Sequence, residues 1–156
     1  MPPPQGMDIA VILTLIFAAS LGMVGGILLL MSRLTGWKRL ADAYPAQPPA
    51  PNARRVFGSA GFRALGGYNN CVIWRADDEY LHIALMRPFR WMGHPPMSIP
   101  WAAVHFDPAP PRWGYARFTV DGVPIRAPSR IVEAELALRE ALARENIQPA
   151  AQHAGA

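Results

Sequence analysis

The chain has 156 residues, which suits one compact domain with extensions. Apolar residues make up 51% and charged residues 17%, a composition more apolar than that of a usual soluble domain. All but one of the 15 basic residues are arginine, so a single arginine carries little information about phosphate binding. Cys71 is the only cysteine, which excludes an internal disulfide, a zinc ribbon and a thioredoxin-like pair.

Residues 1–8 read as a short tail outside the membrane. Residues 9–31, "IAVILTLIFAASLGMVGGILLLM", contain no charge and predict a transmembrane helix, since a bilayer core needs about 20 helical residues. A cleaved signal peptide would carry a basic leader and a shorter apolar core, and here only Asp8 precedes the apolar run. Arg33, Lys38 and Arg39 follow the segment, and no Lys or Arg comes before it. The positive-inside rule therefore leaves the N-terminus outside and puts the main domain in the cytoplasm. Trp37 joins these three as an expected interface anchor, because indole favours the headgroup level. Ala18, Gly22 and Gly26 recur at spacing four, as a helix-packing face would. Composition alone gives the same pattern, and the functional reading is a homodimer or a membrane-protein partner.

Residues 32–53 form a juxtamembrane segment and a linker. "LTGWKRLADAYP" has helical spacing of apolar residues and reads either as an interfacial amphipathic helix or as a terminal turn packed on the domain. "PAQPPAPNA", 45–53, has four prolines and predicts an extended spacer of roughly 28 Å.

Residues 54–147 predict the folded domain. Strand patterns cover "RRVFGSAGFRAL", "YNNCVIWR" (68–75) and "YLHIALM" (80–86), and "MSIPWAAVHF" (97–106) starts as a strand. "YARFTV" and "VPIRAP" flank Asp121-Gly122, a hairpin dipeptide. Ser129 then caps a helix whose apolar stripe reads Ile131, Ala134, Leu138, Ala141 and Leu142. Residues 148–156 read as a disordered tail. Antiparallel strands followed by one helix define an α+β class, a small barrel or sandwich closed by the C-terminal helix.

This order resembles the pleckstrin-homology superfold. The piece "YLHIALMRPFRWMGHPPMSIPWAAV" is similar to bacterial PH-like and GRAM-like domains, in which a hairpin leads into an "IPW"-type strand. With the N-terminal helix and "GWKRLADAYP", the chain resembles small single-pass bacterial membrane proteins of unassigned function. The resemblance implies a binding scaffold and no catalytic residue.

Arg87, Phe89, Arg90, Trp91 and Met92 lie between two strand patterns, beside the turn residues Gly93, Pro95 and Pro96. They read either as aromatics partly buried under a loop or as a basic-aromatic tip facing lipid or a partner. His94 reads as exposed beside the prolines. His82 is out of phase with Leu81 and Ile83 and reads as pointing away from their face. Cys71 reads as a buried thiol. No histidine pair has zincin spacing and no glycine cluster matches a phosphate loop, so no metal and no cofactor is expected. Over residues 32–128, 12 basic residues face 6 acidic ones. A nearby anionic leaflet accounts for that surplus, and no nucleic acid is expected.

The expected function is a non-enzymatic binding module of the bacterial inner membrane: an adaptor, subunit or assembly factor contacting lipid headgroups or a membrane protein. Two alternatives are an enzyme with a site near Cys71, His82 or His94, and a periplasmic domain released by signal cleavage.

Overall fold

The computed structural model describes residues 9–63 and 66–153, with side chains as far as residue 142. The expected tail 1–8 lies outside the described residues. Helix α1 spans Ile9–Leu34 and is the one described helix long and apolar enough to cross a membrane. Its 26 residues span about 39 Å, more than the ~30 Å of a hydrocarbon core. Its two mid-helix hydroxyls bond back to the helix itself, Thr14 Oγ1 to the Ala10 carbonyl and Ser20 Oγ to that of Ile16, each at 2.8 Å. Neither therefore needs water, as a lipid-exposed polar group must not.

Gly36 has φ +86 and turns the chain into α2, Trp37–Ala43. A side chain there would also meet Val123, 3.1 Å from the missing Cβ, so glycine is required by conformation and by space. The strands and helices that follow are β1 (Arg54–Phe62), β2 (Gly66–Ala76), β3 (Tyr80–Leu85), the single turn α3 (Arg87–Arg90) and β4 (Met97–Pro100). Then come β5 (His105–Phe106), β6 (Tyr115–Val120), β7 (Val123–Pro128) and α4 (Ser129–His153). The class is α+β, as expected.

The strands form one antiparallel sheet in the order β4-β3-β2-β1-β7-β6-β5. The sheet has to curl. Its two edges, β4 and β5, are joined by residues 101–104 alone, which reach at most about 18 Å from Pro100 to His105. A flat sheet would hold those edges about 29 Å apart, six spacings of ~4.8 Å. The stretch 97–106 starts as a strand, as expected, and holds two strands at opposite edges, separated by a 3-10 turn at Trp101–Ala103. Trp74, Phe62, Phe118, Leu81, Ile83 and Ile125 fill the concave side.

Helix α4 closes the seam with only the first residue of the expected stripe, Ile131. Ile131 and Val132 are buried and Leu136 packs on the core, whereas Ala134, Leu138, Ala141 and Leu142 are exposed. The reason is Arg139, which turns inward. Its Nη1 donates to the Val104 carbonyl at 2.9 Å and its Nη2 to that of Trp101 at 2.5 Å. The guanidinium thus adds donors to the backbone carbonyls of the turn where β4 gives way to β5, one of which, Trp101, also accepts the Val104 N–H. The helix continues to His153, so residues 148–153 extend it where a disordered tail was expected.

The proline-rich stretch is not a free spacer. Ser98 N–H donates to the Tyr44 carbonyl at 3.2 Å, and Pro45 bridges to Met97. Ala50 N–H reaches Asp77 Oδ2 at 3.0 Å. Residues 44–50 form a strap along the β4 edge, where they cover donors and acceptors that would otherwise lie open.

Candidate membrane-facing site

The sequence MetGlyHisPro at 92–95 returns the chain from α3 to β4 alongside the end of α1. Gly93 lies against Leu29: a Cβ on Gly93 would be 2.5 Å from Leu29 Cδ2 and 3.6 Å from Leu29 Cα. Leu29 belongs to the uncharged part of the helix, four residues before Arg33 and therefore about 6 Å below it along the axis. This loop thus reaches down beside the apolar helix.

Non-helical backbone at that depth needs internal hydrogen-bond partners. The loop has them. Ser32 Oγ, on the last turns of α1, donates to the Gly93 carbonyl. Trp37 Nε1 donates to the Pro95 carbonyl at 2.8 Å. His94 Nδ1 lies 3.0 Å from the Met92 carbonyl, which fixes that nitrogen as the protonated one in the neutral ring. His94 Nε2 then accepts from the Tyr68 hydroxyl at 2.8 Å. Arg90 Nε donates to the Leu85 carbonyl at 2.7 Å.

Around these bonds Trp37, Phe62, Tyr68 and His94 pack edge to face or tilted, with ring centroids 5.0 to 5.7 Å apart. The expected anchor Trp37 is therefore corrected. It is fully buried, because its indole joins α2 to the loop. His94 is likewise fully buried rather than exposed, and burial lowers its pKa, with the Met92 hydrogen bond opposing in part. The cluster joins α1, α2, the sheet and the loop into one packed unit, as the terminal-turn reading of α2 implied.

The other expected loop residues are distributed unevenly. Trp91 is 86% exposed, and Arg87 and Met86 are exposed beside it. Phe89, Arg90 and Met92 are half-buried. Arg33, Lys38 and Arg39 are exposed; Lys38 pairs with Asp42, and Arg39 Nη2 donates to the Asp121 carbonyl at 3.2 Å. Nothing lies within 4 Å of where a Cβ would stand on Gly22 or Gly26, so the face they share with exposed Ala18 is bare.

Comparison with protein-family models, curated proteins and solved structures finds no match.

The residues named for an enzyme do not converge. Cys71 is half-buried on β2, and burial raises its thiol pKa. His82 joins neither Cys71 nor His94. It is buried, with Nε2 2.8 Å from Asp77 Oδ2 and Nδ1 2.8 Å from Ser98 Oγ. A serine–histidine–aspartate chain can activate a hydroxyl. Here Ser98 is buried and its Oγ accepts the Gln47 N–H at 2.8 Å, so the chain fastens the strap. Burial alone would raise the Asp77 pKa, but hydrogen bonds from the Ala50, Tyr80 and Glu79 N–H groups and from His82 bring it to about 2. That contribution to stability is complete above the ordinary 3.8 and is lost as pH falls toward 2. No local motif announces this chain. Its members lie on a turn, β3 and β4, and only the β3–β4 register brings them together.

Proposed function

We propose that this chain is a non-enzymatic, single-pass binding module that holds a PH-like domain against the membrane surface, on the cytoplasmic side of a bacterial inner membrane. The observation that carries the reading is the loop 91–95, packed at the level of Leu29 with its carbonyls satisfied by Ser32, Trp37 and His94. In this reading Trp91 and Met86 enter the interfacial layer, where an indole is favoured. Arg87 faces anionic headgroups, with about 1 kcal/mol for such a cation. The domain does not swing on a linker; its orientation follows that of α1. A membrane protein or a second copy then meets a surface of fixed height, and the bare Ala18–Gly22–Gly26 face is where a second helix would approach.

Three experiments test this. Protease added to intact spheroplasts should spare the domain, and digestion from outside would reverse the orientation. A photo-crosslinker at position 91 in native membranes should attach to lipid or to an integral membrane protein. Exclusive capture of soluble proteins would remove the loop from the membrane. Replacing Gly22 and Gly26 with Ile should reduce self-association or co-purification of a membrane partner.

A further inference from the structure

The outward face of β6 and β7 carries a second feature, independent of the loop. Alternation buries Ala116, Phe118, Ile125 and Ala127 and leaves Arg117 and Arg126 exposed. These two arginines stand directly opposite each other in the antiparallel pair. Like charges in that position destabilise a sheet. Arginine is abundant throughout the chain, so the register and not the count makes this pair informative.

The two side chains lean apart. Arg126 lies across Gly61 on β1, its Cβ and Cδ 3.4 Å from where a glycine Cβ would be. On the other side, Arg117 Nε reaches Asp107 Oδ2 at 3.2 Å. A cleft of about 440 Å³ is lined by both, with Arg63 and His105 further along it. An adjoining cavity of about 340 Å³ shares Arg117 and Arg126 and adds Arg112 and Trp113. Asp107 is the one carboxylate lining either, and Arg117 already engages it. Arg63, Arg112 and Arg126 have no acidic partner among the described residues.

A concave surface lined by one sign of charge concentrates its potential. Guanidinium forks match phosphate oxygens in pairs. We propose that the cleft between Arg117 and Arg126 binds a phosphate-bearing anion, with Arg63 as a third cation. Arg63 lies beside the α1–α2 junction, its Nε 3.6 Å from the Cβ position of Gly36. The phosphate can therefore belong to a lipid headgroup or to a soluble phosphorylated compound.

The test uses the full chain in nanodiscs, with inorganic pyrophosphate as the probe and chloride at matched ionic strength as the control. Pyrophosphate should raise the melting temperature of the wild type. The double variant Arg117→Gln, Arg126→Gln should bind it at least about tenfold more weakly. Without any added anion it should melt close to wild type, because removing the opposed cations offsets the loss of the exposed Arg117–Asp107 pair. Arg117→Lys with Arg126→Lys, which keeps the charge and loses the forks, should bind with intermediate strength. If anionic discs stabilise the wild type and blunt the pyrophosphate response, the source is a lipid headgroup. An equal response in zwitterionic and anionic discs marks a soluble ligand. A wild-type response no larger than that to chloride, or a double variant that responds like wild type, overturns the proposal.

Discussion

Two loops of this protein carry the same kinds of residue and meet different surroundings. Residues 86–95 and 107–114 each hold arginine, proline and a highly exposed tryptophan, Trp91 at 86% and Trp113 at 94%. In the first, the Gly93 and Pro95 carbonyls meet side chains of α1 and α2, and the Met92 carbonyl meets the buried His94 of the loop itself. In the second, Pro108, Pro110 and Pro111 have no hydrogen-bond partner among the described residues, and the remaining bonds are mostly local. A loop whose backbone is satisfied internally can leave water; one whose backbone is not must stay in it. Two exposed tryptophans can therefore have different roles, and the carbonyls separate them better than the rings do.

Substitutions can break this contrast or sharpen it. The largest effect is expected for Trp37→Ala, which empties part of the junction and removes the Pro95 bond. It should cost about 3–5 kcal/mol by denaturant unfolding, against about 0.5 kcal/mol or less for Trp113→Ala. Gly93→Ala and Gly114→Ala make a closer pair, because both glycines have positive φ, +79 and +75. Each should lose about 1 kcal/mol for the left-handed backbone. Only Gly93 also displaces Leu29, so its loss should be roughly 1 kcal/mol larger. Equal losses would mean that the loop is not held against α1.

A smaller effect separates the loops by pH. The folded His94 pKa lies below the ordinary 6.5, so the unfolded chain takes up the proton first. The contribution is complete above 6.5 and is lost as pH falls from there through the lowered folded value. The stability difference between wild type and His94→Gln should therefore change as pH drops below 6.5, with wild type losing more. Trp113 substitutions should leave that profile unaltered.

The sequence makes some of this legible. An uncharged run names α1, and strict alternation names β3, β6 and β7. Asp121-Gly122, with φ of 47 and 74, fixes the last hairpin as a two-residue turn. That turn also sets Arg117 opposite Arg126, so the cationic cleft could have been read by counting outward from it. What stays hidden depends on pairings far apart in the chain: Ser32 with Gly93, Tyr44 with Ser98, Ala50 with Asp77. His94 looks exposed by local pattern and His82 looks turned away from the Leu81–Ile83 face, yet both are buried, each with a hydroxyl from another strand on a ring nitrogen. The α4 stripe fails for the opposite reason. Periodicity assigns Arg139 to the outside, whereas the open seam of the sheet draws it in.

In the proposed arrangement, loop 86–95 lies at membrane depth and loop 107–114 does not. Nitroxide labels at positions 91 and 113, introduced as cysteines in a Cys71→Ser background and reconstituted in nanodiscs, measure this directly. Molecular oxygen should relax the label at 91 more than a water-soluble nickel chelate does, and the reverse should hold at 113. Strong relaxation of both labels by the nickel chelate would place both loops in water and contradict the account.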